Sequence, residues 1–167
     1  MDKGKVQVIC GGCGKSSMAL GKGILALTQH KKVIMIQFLK GSLSSDSAET
    51  MKRLEPDMKV FRFEKLGDYF EKLTDKQKHE EELNIFNGIN FAKKVLTTGE
   101  CDVLILDEIL GILDQQIITS ADLENLLSFR EEDVDLILTG KVFPKELADH
   151  VDSIAFIDNL EVDKEAK

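Results

Sequence analysis

Short apolar runs alternate along the chain with longer segments in which apolar residues recur every three or four positions. The short runs predict strands, and they lie at residues 6–10, 32–38, 59–63, 102–107, 134–139 and 153–157. The run at 102–107 is the clearest, and the run at 59–63 is weaker. Residues 32–38 show no polar alternation, which is typical of a strand that is covered on both faces.

The longer segments predict helices at residues 16–29, 74–97 and 122–130, with a further helix beginning near Pro144. Thr119 or Ser120 is expected to cap the third helix, because Asp122 then stands at capping-box spacing. The serine-rich and charged residues 41–57 predict a mobile surface loop, and the tail beyond Asp158 is expected to fray.

Strands that alternate with helices in this order predict an α/β fold. It would be a three-layer structure with a mostly parallel sheet and helices on both faces. A length of 167 residues fits one domain, spanning 1–167, with a core large enough to need no disulfide or structural metal. The ligand of such a sheet binds at the carboxyl ends of its strands.

A glycine-rich loop follows the first strand and ends at a helix start. Gly11, Gly12 and Gly14 would let backbone N–H groups approach an anion, Lys15 adds positive charge, and Ser16 can bind Mg²⁺. The usual phosphate-loop spacing places a glycine five residues before the last loop glycine, where this chain has isoleucine. The segment is therefore interpreted as a phosphate-binding loop with shortened glycine framing.

Two carboxylates, Asp107 and Glu108, follow the strand at 102–107 and would reach the same edge of the sheet. In nucleotide-binding sheets such carboxylates hold Mg²⁺ directly or through water. Asp107 could alternatively only cap the turn that follows. Its combination with Lys15 and Ser16 favours the metal interpretation.

Composition limits the function classes that remain. The chain carries 22 basic and 30 acidic side chains, a formal charge of −8, which disfavours a nucleic-acid surface or an anionic membrane as partner. No apolar stretch reaches the roughly 20 residues that span a bilayer, and the first residues do not resemble a signal peptide. We therefore expect a cytoplasmic protein.

Cysteine usage argues against a disulfide framework. Cys101 is expected to be a buried small apolar residue. Cys10 and Cys13 have C-x-x-C spacing, which elsewhere marks redox or metal chemistry. No second pair of this kind supplies further metal ligands, so two small side chains that the loop tolerates is the favoured interpretation. The alternative is an oxidisable pair that controls nucleotide binding.

Four motifs in order resemble the P-loop type of ATP:corrinoid adenosyltransferase. They are the loop at 11–17, Gln-Phe-Leu-Lys-Gly at 37–41, Leu-Asp-Glu at 106–108 and Leu-Thr-Gly-Lys at 138–141. The resemblance implies a P-loop NTPase-like fold and transfer of the 5′-deoxyadenosyl group of ATP to a Co(I) corrinoid in cobalamin biosynthesis or salvage. Co(I) would attack C5′, triphosphate would leave, and no protein nucleophile would be needed.

The resemblance also implies roles for individual residues. The nucleotide would be held by Gly11, Gly12, Cys13, Gly14, Lys15, Ser16, Ser17 and Lys141. The catalytic residues would be Lys15, Ser16 and Glu108, and Mg²⁺ would be held by Ser16, Glu108 and Asp107. Phe61 and Phe63 would contact the corrinoid, although core packing explains them equally well. A homodimer and a reductase that supplies Co(I) are further partners that it implies.

The chain departs from the family pattern at five positions, namely Cys10, Cys13, Leu25, Phe63 and Lys141, where the family has glycine, lysine, arginine, tryptophan and arginine. Cys13 and Leu25 remove positive charge, and Lys141 keeps its charge but loses the two-pronged guanidinium contact with phosphate. They motivate one alternative, a nucleotide- and corrinoid-binding paralogue with impaired transfer activity. A P-loop phosphohydrolase or kinase is the other.

Overall fold

The computed structural model describes residues 3–39, 45–63 and 72–164. The strands in these ranges are β1 (Val6–Gly11), β2 (Val33–Gln37), β3 (Met58–Arg62), β4 (Val103–Asp107), β5 (Asp135–Gly140) and β6 (Ser153–Ile157). The helices are α1 (Lys15–Leu27), α2 (Ser45–Met51), α3 (Asp75–Thr98), α4 (Ile109–Asp114) and α5 (Ser120–Ser128), with 3₁₀ turns at Lys52–Leu54 and Lys145–His150.

The described strands form a parallel sheet in the order β3-β2-β4-β5-β1-β6. This confirms the predicted α/β class and the P-loop NTPase-like architecture. Strand β5 lies between β1 and β4, so Thr139 on β5 is paired with Ile9 of β1, while Leu138 is paired with Leu106 of β4. The glycine-rich loop after β1 and the carboxylates after β4 therefore lie at the same edge, one strand apart.

Helices cover both faces of the sheet. The buried apolar side chains of α3, α4 and α5 pack in one cluster with strand residues such as Ile36, Leu106 and Leu138. A second cluster on the opposite face joins Ala19 of α1 to Ile105. Strand β4 alternates its side chains between these clusters and is buried along its whole length, which explains its uninterrupted apolar sequence.

Helix starts follow the capping chemistry of the sequence. Thr119 accepts a hydrogen bond from the N–H of Asp122, whose carboxylate accepts one from the N–H of Thr119. The predicted capping box is thus confirmed, with Thr119 as the cap, although α5 begins at Ser120. Thr74 and Gln77 form the same arrangement at the start of α3.

The loop prediction for residues 41–57 is wrong where the structure describes that segment. Helix α2 and the turn at Lys52–Leu54 occupy residues 45–54, and residues 41–44 lie outside the described ranges. Serine and aspartate favour turns when read locally, so a short helix rich in them gives little sequence signal. Helix α4 was not predicted because six residues, several of them buried, are too few for a period of 3.6 to emerge.

Candidate functional site: a phosphate loop facing a buried aspartate

The glycine-rich loop connects β1 directly to α1. Gly11 and Gly14 have φ angles of 104° and 101°, in the region that residues with a Cβ rarely adopt. The loop therefore needs glycine at both ends of its turn. No acidic side chain occurs in the first turn of α1, so the positive end of the helix faces the loop without a competing carboxylate from that turn.

The side chain of Lys15 folds back over the loop. Its ammonium group donates to the carbonyl oxygens of Gly11 at 3.1 Å and Gly12 at 2.7 Å. Carbonyl oxygens are weaker partners for an ammonium group than a phosphate, which carries full negative charge. The lysine is therefore held within the loop by contacts that an anion can replace.

The outer side of the loop is tied to two neighbouring segments. The N–H of Gly11 donates to the carbonyl of Lys141, and the N–H of Gly12 donates to that of Ile157 at 2.8 Å. The N–H of Cys13 donates to Oδ1 of Asn159 at 2.6 Å, and Nδ2 of Asn159 is 3.4 Å from the Cys13 carbonyl. Three loop amides are thus already paired, and Asn159 is anchored although it lies beyond β6.

Ser16 connects the loop to β4. Its hydroxyl group lies 2.8 Å and 3.0 Å from the two carboxylate oxygens of Asp107, and both residues are buried. A carboxylate can only accept, so the serine hydroxyl donates and keeps its lone pairs free for a cation. This contact joins two of the residues that the sequence selected for the metal site.

Asp107 has further polar neighbours that sequence reasoning did not assign to the site. Thr139 donates to its Oδ1 at 2.7 Å, and Nε2 of Gln37 lies 3.4 Å from its Oδ2. Arg62 in turn donates to Oε1 of Gln37 at 3.2 Å. Gln37, Arg62 and Thr139 are polar residues at or near the carboxyl ends of their strands, which is the signal that could have identified them.

Glu108 is half-buried and has φ of 61°, an uncommon conformation for a residue with a Cβ. Its backbone N–H donates to the Thr139 hydroxyl at 2.8 Å, and its carboxylate lies over the first turn of α4 against Gly111. Burial raises the pKa of this carboxyl group; Lys15 partly offsets that effect, and the Asp107 charge adds to it.

The donor atoms present are those that Mg²⁺ prefers. Ser16, Asp107 and Glu108 each offer an oxygen atom as a ligand. Within the described ranges, no cluster of three or more His, Cys, Asp or Glu side chains could hold a metal without further ligands. Mg²⁺ is commonly bound by one or two carboxylates together with water and substrate phosphates. The donor set therefore fits a magnesium ion that arrives with a polyphosphate.

Phe61 and Phe63 lie on the face of the sheet that α3 covers. Their rings pack against Phe91, with centroids 4.7 Å and 5.7 Å apart. Phe63 also lies over Gly88, where an added Cβ would come within 3.0 Å of its ring. Both phenylalanines are half-buried and pack against the larger apolar cluster. Their packing thus accounts for both residues as core side chains, and each ring retains some exposed surface.

The remaining predicted residues differ in position. Lys141 accepts a hydrogen bond from the N–H of Gly11 through its backbone carbonyl, and its side chain is exposed.

Cys13 is exposed, whereas Cys10 is buried. Burial raises the pKa of the Cys10 thiol, and Lys15 opposes the shift. Leu25 is 66 % exposed on α1. Cys101 is buried as predicted, and burial together with Asp102 and Glu100 raises its pKa to about 12.

Two comparisons with known proteins bear on this site. The chain is 28 % identical over 165 residues to the uncharacterized protein all2391 of Nostoc sp. (strain PCC 7120), an alignment that covers 89 % of this chain and 42 % of that protein. The chain therefore spans less than half the length of this relative.

None of the described helices is both long and apolar enough to cross a membrane.

The second comparison covers nearly the whole chain. Residues 2–163 match the family described as ATP:corrinoid adenosyltransferase BtuR/CobO/CobP. The match includes the loop, Asp107, Glu108 and the strand that carries Thr139. This chain belongs to the ATP:corrinoid adenosyltransferase family.

Proposed function

We propose that this chain transfers the 5′-deoxyadenosyl group of ATP to a Co(I) corrinoid, in cobalamin biosynthesis or salvage. A bond forms between cobalt and C5′ while the C5′–O bond breaks. The electron pair of that bond leaves with inorganic triphosphate. The cobalt of the substrate is the nucleophile, so the protein has to bind, orient and shield the reactants.

The observation that carries this proposal is the contact of Ser16 with Asp107, next along the chain to Lys15, whose ammonium group lies on the loop carbonyls. Family membership supports the reaction class, and this contact supports a triphosphate site at the loop. Lys15 would turn from the loop carbonyls to the phosphates and neutralise charge that grows on the leaving group. The amides at the start of α1, with Gly14 and Ser17, would bind phosphate oxygens. Gly11, Gly12 and Cys13 would border the phosphates as well, and binding through their amides would require those amides to leave Lys141, Ile157 and Asn159.

Ser16, Glu108 and Asp107 would hold Mg²⁺. When bound, the cation would withdraw charge from the triphosphate as it leaves. Asp107 accepts the hydrogen of the Ser16 hydroxyl, which leaves the serine lone pairs for the cation. Glu108 supplies a second carboxylate at the rim of the site.

We further propose that Phe61 and Phe63 contact the corrinoid and that Lys141 contacts phosphate. These assignments rest on the family pattern. Both phenylalanines are partly exposed and Lys141 is exposed, which supports these assignments. A homodimer, a reductase that supplies Co(I), and a cytoplasmic location are also proposals that rest on the family.

A specific observation favours a second candidate function, a paralogue that binds ATP and corrinoid but transfers poorly. Cys13 stands in the loop where the family has lysine, and its amide is engaged by Asn159. Leu25 presents an apolar side chain to solvent where the family has arginine. Both differences reduce the positive charge available to a leaving triphosphate.

An anaerobic assay separates these functions. The protein is incubated with ATP labelled at the γ-phosphate and chemically reduced cob(I)alamin, and both the cobalamin spectrum and the labelled product are recorded. We expect adenosylcobalamin and labelled triphosphate in equal amounts. Binding of both substrates without product would favour the paralogue. Labelled orthophosphate with ADP would instead indicate a phosphohydrolase, and the Lys15→Ala variant provides the background rate.

A further inference from the structure

Strand β5 places one hydroxyl group between the Asp107 carboxylate and the backbone N–H of Glu108. Thr139 is paired with Ile9 of β1 on one side, and the residue before it is paired with Leu106 of β4 on the other. Its side chain therefore reaches the end of β4, where Asp107 and Glu108 follow one another. Thr139 has no exposed surface, so water does not compete for its hydrogen bonds.

The direction of both hydrogen bonds is fixed. The N–H of Glu108 can only donate, and it lies 2.8 Å from Oγ1 of Thr139. The threonine hydroxyl is thus an acceptor there and has its own hydrogen left for Oδ1 of Asp107, at 2.7 Å. Neither contact can reverse without leaving a buried donor unpaired.

These two bonds have separate consequences for the carboxylates. The bond to Asp107 adds a donor to the oxygen that Ser16 also approaches at 2.8 Å, so the carboxylate is held from two sides. The bond from Glu108 supports a backbone with φ of 61°, which turns the glutamate side chain over Gly111. Valine would fill the same strand position, so packing alone does not require a hydroxyl here.

We propose that Thr139 is a positioning residue for the magnesium–nucleotide site, a role that rests on the proposed function. Its single hydroxyl group fixes the Asp107 carboxylate and the Glu108 backbone relative to each other. It touches neither the cation nor the nucleotide. Its loss should therefore weaken the metal-dependent part of nucleotide binding and leave the metal-independent part unchanged.

The test compares ATP affinity with Mg²⁺ and with EDTA, by calorimetry, for the wild type, Thr139→Val and Thr139→Ser. The affinity ratio between the two conditions isolates the contribution of the metal. Loss of a group that orients a metal ligand typically lowers metal affinity by about tenfold to a hundredfold. We expect Thr139→Val to lower the ratio by at least about tenfold and Thr139→Ser to restore it.

Ile137→Val is the matched control, because Ile137 is buried two residues earlier on the same strand and packs in the cluster on the α1 face. This substitution removes one buried methyl group and touches neither carboxylate. The ratio of ATP affinities with Mg²⁺ and with EDTA should therefore stay at the wild-type value. If Thr139→Val does not fold, Thr139→Cys replaces it, because a thiol occupies the site but donates only weakly.

Three results overturn the proposal. An unchanged ratio in Thr139→Val, or in Thr139→Cys if that variant replaces it, would show that the hydroxyl does not position the metal site. An equal fall in Ile137→Val would show that the effect is one of general stability. A wild type whose ATP affinity does not depend on Mg²⁺ would contradict the proposed function itself, and the wild-type titrations alone reveal that case.

Discussion

The hydroxyl oxygen of Ser16 lies 2.8 Å from a carboxylate oxygen of Asp107, although 91 residues separate them in the chain. The contact joins the first turn of α1 to the end of β4, and both residues are buried. It places a hydroxyl ligand and a carboxylate beside the one lysine of the loop. The account of the site depends on this pair.

Removal of the Ser16 hydroxyl should therefore weaken the Mg²⁺-dependent part of ATP binding more than the part that does not need the metal. In Ser16→Ala we expect ATP affinity in Mg²⁺ to fall by about tenfold to a hundredfold, because a proposed metal ligand is lost and Asp107 loses one of the donors that hold it. Affinity in EDTA should change little. Ser128→Ala, at an exposed position of α5, is the control. Equal losses in Mg²⁺ and in EDTA would argue against a metal role for Ser16.

Glu108 should make stability depend on pH in the absence of ligands. Burial raises its pKa above the ordinary value of 4.5, so the folded state holds the proton more tightly than the unfolded state. Its contribution to stability is thus fully present below pH 4.5 and is lost as pH rises through the folded-state pKa. The free energy of unfolding, measured with urea at a series of pH values, should decline less across this window in Glu108→Gln than in the wild type. Parallel pH profiles would contradict the prediction.

Asn159→Asp should weaken ATP binding. The new carboxylate would stand 2.6 Å from the backbone nitrogen of Cys13, at the edge of the proposed phosphate loop. Repulsion between two charges about 4 Å apart is about 1 kcal/mol even in water, which corresponds to about fivefold in affinity. Asn125→Asp adds the same charge at an exposed position of α5 and should have no comparable effect. Similar affinities of the two variants would refute a role for this position.

Two glycine-to-alanine changes should alter stability in opposite directions. At Gly88 of α3 an added Cβ would lie 2.7 Å from the Phe38 ring and 3.0 Å from that of Phe63, so we expect a loss of about 1–3 kcal/mol. At Gly21 of α1 it would meet nothing within 4 Å. The better helix propensity of alanine should then add about 0.5–1 kcal/mol. Urea midpoints test both signs, and a stable Gly88→Ala would mean that the phenylalanines are loosely packed.

The sequence predicted the fold well because its strongest signals are local. The uninterrupted apolar run of β4 and the glycine-rich turn before α1 each report their own structure within a few residues. The parallel sheet then follows from the alternation of strands and helices, and Ser16 and Asp107 meet because both lie at carboxyl ends of strands.

Other parts of the site depend on strand order, which the sequence does not show. Thr139 approaches Asp107 only because β5 lies between β1 and β4. Asn159 reaches Cys13 only because β6 pairs with β1. Helix α2 escaped prediction for a different reason, because its serines and acidic residues favour loops locally and its helix forms in the context of the sheet.

The most direct test of the central claim is a calorimetric titration of MgATP into the wild type and into Lys15→Ala. The account predicts saturable binding to the wild type, weakened by about tenfold to a hundredfold in the variant, because charged hydrogen bonds to phosphate are lost. Absence of binding to the wild type, or equal binding to both proteins, would contradict it.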